Sequence, residues 1–360
     1  MAFSDRLAAM RDWLRHKWMY RKGGGNASSS GATVGGADSG GGAGPSPSSG
    51  GASRNWFGWL RPVIILIPLA IVLYYGVGMA VVHSIDDNPD FTIPASDNVE
   101  GGSKSVAAAA ALIDLEVNQH SWTANDPFFQ PGWMLDNMPN YQQGIMTALA
   151  RFGFELTDQL GRTRGSSEAD PDLQAAAGLM QYPGDIWLWN PSKSLALKSS
   201  SESQYREARR HLLAYNKRLA KSDAVFDRRS DNLLATLDRF AADMGSSSAV
   251  IDKHLAESSG LWIDTRADDI FYNTKGRLYA YYVVLTALGE DFKGIIKERN
   301  LDQPWAEMLT SLRNAVELSP WVVVNGRPDS QFMPSHLAAQ GFYLLRARTQ
   351  LREITNILLK

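Results

Sequence analysis

PVIILIPLAIVLYYGVGMAVV, from Pro62 to Val82, is 21 residues long and carries no charged side chain. At 1.5 Å rise per residue a helix of that length spans about 31 Å, close to the hydrocarbon thickness of a bilayer. Such a helix satisfies its backbone polar groups within itself, as lipid requires. Trp56, Phe57 and Trp59 stand just before it, where amphipathic rings favour the headgroup layer. A buried core helix rarely runs so far without a charge. A signal peptide starts near residue 1 and ends at small residues. Here about 60 residues come first and Tyr74-Tyr75 is bulky, so a transmembrane helix over 61–83 is expected.

The flanks orient this span. Arg54 and Arg61 lie on one side, backed by Arg6, Arg11, Arg15, Lys17, Arg21 and Lys22; Asp86, Asp87, Asp90, Asp97 and Glu100 lie on the other. Lys and Arg collect on the cytoplasmic side, which predicts an N-terminus inside and a C-terminal bulk outside.

Residues 1–22 are expected to form a basic amphipathic helix. Phe3, Leu7, Met10, Leu14 and Trp18 recur three and four apart, with most basic residues elsewhere on the wheel. Such a helix suits an anionic leaflet or a protein groove. Residues 23–54 are expected to form a Gly/Ser-rich, disordered linker: 20 of the 31 residues from 23 to 53 are Gly or Ser, too little apolar surface to fold.

Residues 1–61 hold eight basic and three acidic side chains; taking these from totals of 36 and 38 leaves 28 basic against 35 acidic beyond them. That domain has no cationic surface with which to displace the counterions of nucleic acid, so no nucleic-acid partner is expected. The chain has no cysteine, which excludes disulfides, iron–sulfur clusters and thiol chemistry.

Beyond an acidic stalk at 84–102, residues 103–360 read as a large, mainly α, bundle-like domain of one or two subdomains. Ser192 to Met244 contains neither Gly nor Pro, and Tyr205, Leu212, Leu219, Phe226, Leu233 and Phe240 recur every seven residues. The companion heptad position is poor (Ala208, Tyr215, Ser222, Arg229, Thr236, Asp243), which argues against a clean dimeric coiled coil. Long helices are predicted instead, as a hairpin broken near Ser222 or Ser230. Homo-oligomerisation through the 205–240 stripe stays open.

Sequence motifs for catalysis are absent: no G-x-S-x-G, S-x-x-K, H-E-x-x-H, phosphate-binding lysine loop or dinucleotide glycine pattern. His120, His211, His254 and His336 are not spaced to share a metal on one helix. No cofactor and no metal is expected. The best candidate surface is HSWTANDPFFQPGWMLDNMPNY, 120–141, where Trp122, Asn125, Asp126, Trp133, Asp136, Asn137 and Tyr141 offer stacking faces and acceptors for a sugar or peptide. A carbohydrate hydrolase would need a protonated carboxylic acid and a second carboxylate; Asp126, Asp136, Glu155 and Asp158 are the candidates. The same carboxylates equally suit helix caps and solvated faces. Asp264, Asp268 and Asp269, beside Trp262 and Arg266, form a second acidic group without the spacing of a calcium loop.

NDPFFQPGWMLDNMPNYQQG (125–144), YPGDIWLWNP (182–191) and SGLWIDTRADDIFY (259–272), behind a basic tail and a span, resemble an uncharacterised family of proteobacterial single-pass inner-membrane proteins. It is a domain of unknown function, DUF2333-like, and the resemblance runs from about residue 55 to the end. It implies a protein of the bacterial inner membrane with a periplasmic domain, and no activity, cofactor or site residue. The expected function is therefore membrane-anchored periplasmic binding or scaffolding, contacting an envelope protein or the cell wall without catalysis of its own. A peptidoglycan or other carbohydrate hydrolase using carboxylates of 126–158, and a transmembrane signalling component acting through a partner, are the alternatives.

Overall fold

The computed structural model describes residues 56–161, 169–189, 196–258, 264–327 and 330–360, with side chains from Pro62 onward. The expected basic helix over 1–22 and the linker over 23–54 lie outside the described residues.

Helix α1, Trp56–Val82, contains the one described helix long and apolar enough to cross a membrane, Pro62–Val82, with mean hydropathy 2.4. The remaining helices are α2 (Lys104–Asp114), α3 (Asn137–Glu155), α4 (Pro171–Met180), α5 (Ser201–Ala220), α6 (Ser230–Ser258), α7 (Thr265–Asp291), α8 (Lys293–Glu298), α9 (Asp302–Val316) and α10 (His336–Leu358). α2 and α3 each end in a wide π turn, Leu115–Gln119 and Leu156–Leu160. The fold is mainly α, a membrane-length helix followed by a large helical bundle. WVVVN, 321–325, forms no strand; Asn325 makes one isolated bridge with Ser335.

Short polar side chains start these helices. Ser103, Asp136, Asp170, Ser200, Asp264 and Ser335 each accept a hydrogen bond from a backbone N–H of the first turn, filling donors that a helix N-terminus leaves unpaired. α3 begins at Asn137, capped by Asp136. Pro139 does not stop it, because a first-turn residue has no intrahelical N–H bond to lose.

α7 is the hub. It packs against α2, α3, α6, α8, α9 and α10. Leu278, Tyr279, Ala280, Tyr281, Tyr282, Val283, Val284 and Leu285 are all buried, so the helix is apolar around its circumference, as a central helix must be. α3 runs beside it in the same direction, and their backbones touch at two glycines. A Cβ on Gly144 would lie 2.2 Å from Asn273 O, and one on Gly276 would lie 2.0 Å from Tyr141 O.

α5 and α6 do not form the expected hairpin. The chain turns at Ser222, whose φ of 61 is the left-handed conformation that ends many helices. α5 then packs on α2 and α4, while α6 packs on α10. The heptad stripe is consumed inside one chain: Tyr205, Leu212, Phe226, Leu233 and Phe240 are buried and Leu219 packs against the same core. It is therefore not available for homo-oligomerisation. α6 also runs through Gly245, where the sequence suggests a stop. Gly245 lies under the Arg348 guanidinium, and Ser247 and Ser248 are buried.

The acidic segment 84–102 runs along the bundle. Tyr141 Oη donates to Asp86 O at 2.9 Å and Tyr279 Oη to Asn88 O at 3.1 Å. Lys275, 1 % exposed, pairs with Asp87 and donates to Leu318 O at 2.6 Å. Arg209 grips both oxygens of Asp97 at 3.0 and 2.9 Å. Four chain-distant side chains thus fasten the segment that follows α1.

Candidate ligand-binding site

The parallel course of α3 and α7 brings their first turns together. Asn137 Nδ2 donates to Asp268 at 2.6 Å, with its amide in the orientation that gives both groups partners. Asn140 Nδ2 donates to Asp269 Oδ1 at 2.7 Å and to Asp136 O at 3.0 Å. Asn273 Nδ2 reaches Asn140 O at 3.3 Å, and Arg277 Nε donates to Asn273 Oδ1 at 3.2 Å. Arg277 lies 3.5 Å from Asp243 Oδ2 on α6, which also accepts from Tyr281 Oη at 2.8 Å.

Asp269, Asn273 and Arg277 are spaced four apart, which puts them on one face of α7. Facing them across an open cleft of about 300 Å³ are Asn140 of α3 and Ser247 and Val250 of α6. The cleft offers an acid, a guanidinium, two amides, a hydroxyl and one apolar wall. That set binds a small polar ligand or a peptide backbone; it holds no nucleophile–base pair. Among the described residues no group of three or more His, Cys, Asp or Glu is placed to hold a metal ion.

Burial holds the Asp268 carboxyl up at about 7, with Asp136 and Asp269 pushing in the same direction. Asp269 is raised for the same first reason, with Asp136 adding to it and the Asn140 hydrogen bond opposing.

The residues singled out from the sequence separate into three groups. Asp136 and Asn137 start α3 beside Asn140 without lining the cleft, Asp136 as the α3 cap and Asn137 on Asp268. Trp122, Asn125 and Tyr141 are buried supports. Trp122 Nε1 donates to Gly184 O at 2.9 Å, and Asn125 Nδ2 reaches Ile186 O and Glu202 Oε2, both at 2.8 Å. Asp126 is half-buried under Gly132; burial, then the Glu202 charge, raise its carboxyl to about 6. Trp133 points outward, 57 % exposed.

Glu155 and Asp158 are not brought to these groups. Glu155 is buried beside Arg239 and Arg151, and burial lifts it to about 7 against both. Asp158 is exposed and accepts from Gln159 Nε2 at 2.9 Å. Asp136 and Glu155 bracket α3 and stand about 28 Å apart along its axis, against the roughly 5–10 Å between glycosidase carboxyl groups.

Asn140, Asn273, Arg277 and Ser247 were not singled out as site residues. The four-residue spacing of Asp269, Asn273 and Arg277 was a signal, but it reads as any solvated helix face until α6 and α3 are seen opposite.

These raised carboxyls predict an unusual pH dependence. Asp126, Glu155 and Asp268 bind protons more tightly folded than unfolded. Their contribution is therefore fully present below the unfolded values near 4 and is lost as pH rises through about 6 to 7. His120, raised by Glu116, adds to this loss; His336, lowered by burial, opposes it. The thermal midpoint of the purified protein in detergent is expected to be higher at pH 5 than at pH 8. Asp268→Asn should flatten that slope; an unchanged slope would remove Asp268 from the account.

One family accounts for the chain. Uncharacterised proteins conserved in bacteria, DUF2333, match residues 52–260 and 256–360, and the chain belongs to that family. It matches none of the curated proteins and none of the solved structures compared with it.

Proposed function

We propose that this member of the family is a membrane-anchored binding or scaffolding protein of the bacterial envelope, with α1 in the inner membrane and the bundle in the periplasm. The cleft between α3, α6 and α7 takes an extended segment of an envelope partner. The observation that carries this reading is the polar ladder Asp269–Asn273–Arg277 opposite Asn140 and Ser247. Its rungs rise about 6 Å apart along α7, close to the two-residue repeat of an extended chain, about 6.7 Å. Amides, an acid and a guanidinium match the donors and acceptors that such a chain presents. The basic residues before the span and the acidic ones after it support the periplasmic placement.

A photo-crosslinking amino acid at Val250, which is 51 % exposed in the cleft, tests the reading in cells at native expression. A reproducible envelope-protein adduct is expected, lost in the Asp269→Ala/Asn273→Ala double variant. Only self-crosslinks, or none, would overturn it. Reporter fusions after Asp90 test sidedness, since activity confined to cytoplasmic reporters contradicts a periplasmic domain.

A further inference from the structure

Beside α1 the domain presents apolar side chains that its own core leaves uncovered. Phe128 is 69 % exposed, Trp133 57 % and Met134 58 %. PFFQPGWML, 127–135, contains no charged residue. The Phe128 and Phe129 rings meet at 5.4 Å and Phe129 meets Trp187 at 5.6 Å, which joins this segment to exposed Leu188 and Trp189. Single exposed apolar residues are ordinary on a soluble surface, but a joined group of this kind marks a contact.

Its attachment indicates what it contacts. Tyr75 Oη donates to Phe128 O at 2.6 Å and Tyr74 Oη to Phe129 O at 3.0 Å. Pro131 sits over Gly78, where a Cβ would come within 2.4 Å of its Cγ. Tyr75, Gly78, Met79 and Val82 share one face of α1 and are its partly buried positions within Pro62–Val82. The two tyrosines precede Val82 by about 11–12 Å of helix rise. When Pro62–Val82 crosses a bilayer, the chain bonded to those tyrosines lies below the headgroups.

A segment at that depth, here a loop running into one 3-10 turn at Pro131–Met134, must satisfy its polar groups without water. The 127–135 segment does much of this locally. Pro127 and Pro131 carry no N–H. Gln130 N donates to Pro127 O at 2.8 Å, Trp133 N to Gln130 O at 3.2 Å and Leu135 N to Gly132 O at 3.0 Å. The two tyrosine hydroxyls of α1 supply the carbonyls of Phe128 and Phe129.

We propose that residues 127–135, with Leu188 and Trp189, enter the lipid beside α1 and form a second membrane contact. The occupant of this surface is the phospholipid at the acyl–headgroup boundary. With two contacts, the bundle is held at a set angle to the bilayer rather than swinging on a single helix. This contact stands independently of what occupies the cleft.

The absence of cysteine makes the test direct. Phe128→Cys, Trp133→Cys and Leu188→Cys are each labelled with an environment-sensitive fluorophore in the full-length protein. The protein is reconstituted in vesicles of phosphatidylethanolamine and phosphatidylglycerol containing chain-spin-labelled phospholipid. Phe154→Cys, exposed near the opposite end of α3, is the reference. Lipid quenching several-fold greater at 128, 133 and 188 than at 154 is expected. Quenching no greater than at 154 overturns the proposal, whether the label then reports water or a protein cover.

Discussion

Gly276→Ala is expected to cost about 3 kcal/mol or more, the upper range for overpacking a tight interior. The new methyl has no room to relocate. It would stand 2.0 Å from Tyr141 O and 2.9 Å from Tyr141 C, backbone atoms of α3 rather than the end of a flexible side chain. Relief requires α3 and α7 to separate, which loosens the packing of Tyr141, Ile145, Tyr279 and Tyr281 together. Gly144→Ala opens the same seam from the other side, against Asn273 O at 2.2 Å. The two substitutions should be less than additive, because the first separation already makes room for the second methyl. Gly178→Ala is the contrast. It lies within α4 with nothing inside 4 Å of the new atom, so it should gain about 0.5–1 kcal/mol from helix propensity and a more restricted unfolded chain. Denaturant unfolding followed by circular dichroism in detergent checks all three. A Gly276→Ala midpoint equal to the parent's would show that the helices are not held at this separation.

Asp291→Ala is the second large effect, expected at about 4 kcal/mol. Asp291 ends α7 and its carboxylate closes the start of α2. Oδ1 accepts from Lys104 N at 2.8 Å. Oδ2 accepts from Ser105 N at 2.9 Å and from Ser103 Oγ and Ser105 Oγ, each at 2.7 Å. Removing it strands four donors at a helix N-terminus, most of them buried, and each orphaned donor costs about 1–3 kcal/mol before relaxation. The positive end of the α2 dipole loses its counter-charge as well. Asn216 holds Ser103 from α5, accepting from its N–H at 2.7 Å, so the site should loosen without unfolding the whole chain. Hydrogen exchange of the Lys104 and Ser105 amides should therefore accelerate before global unfolding is seen. Unchanged protection of those amides would mean that Asp291 is not their partner in solution. Asp291→Asn should be intermediate, since an amide keeps one acceptor and turns its NH₂ toward donors.

The α3–α7 seam also shows how the bundle follows α1. The seam at Gly144 and Gly276 sets the course of α3, and Tyr141 on that helix holds Asp86 just past the span. Lys275, one residue before the second glycine, holds Asp87 from the hub helix. The connection between α1 and the bundle thus passes through the two helices whose backbones meet at Gly144 and Gly276.

Much of this was legible locally. The span needs only 21 uncharged residues. The aromatic–proline strings 125–144, 182–191 and 259–272 were visible as unusual. Their meeting was not. Asn125 binds Ile186 O across 61 residues, and Asn140 binds Asp269 across 129. The 205–240 stripe carried true information about burial but none about the partner, because a heptad repeat specifies an apolar face and not what covers it. For the carboxylates the limit was sharper. Asp136 reads equally as a cap or a catalytic group, and the structure shows it accepting from Asn137 N at the start of α3.

By itself, then, the sequence determined the elements: a helix long enough for a bilayer and the helices that follow it. Each depends on contacts within a few residues, where backbone geometry is the same in any fold. The tertiary structure alone decided that α7 is central, that the stripe is spent inside one chain, and that Asn137 and Asn140 meet Asp268 and Asp269 beside a cleft. Those outcomes turn on how closely two helices approach. That distance is set at Gly144 and Gly276 by the absence of a side chain, which leaves no periodic mark for a sequence reading to follow.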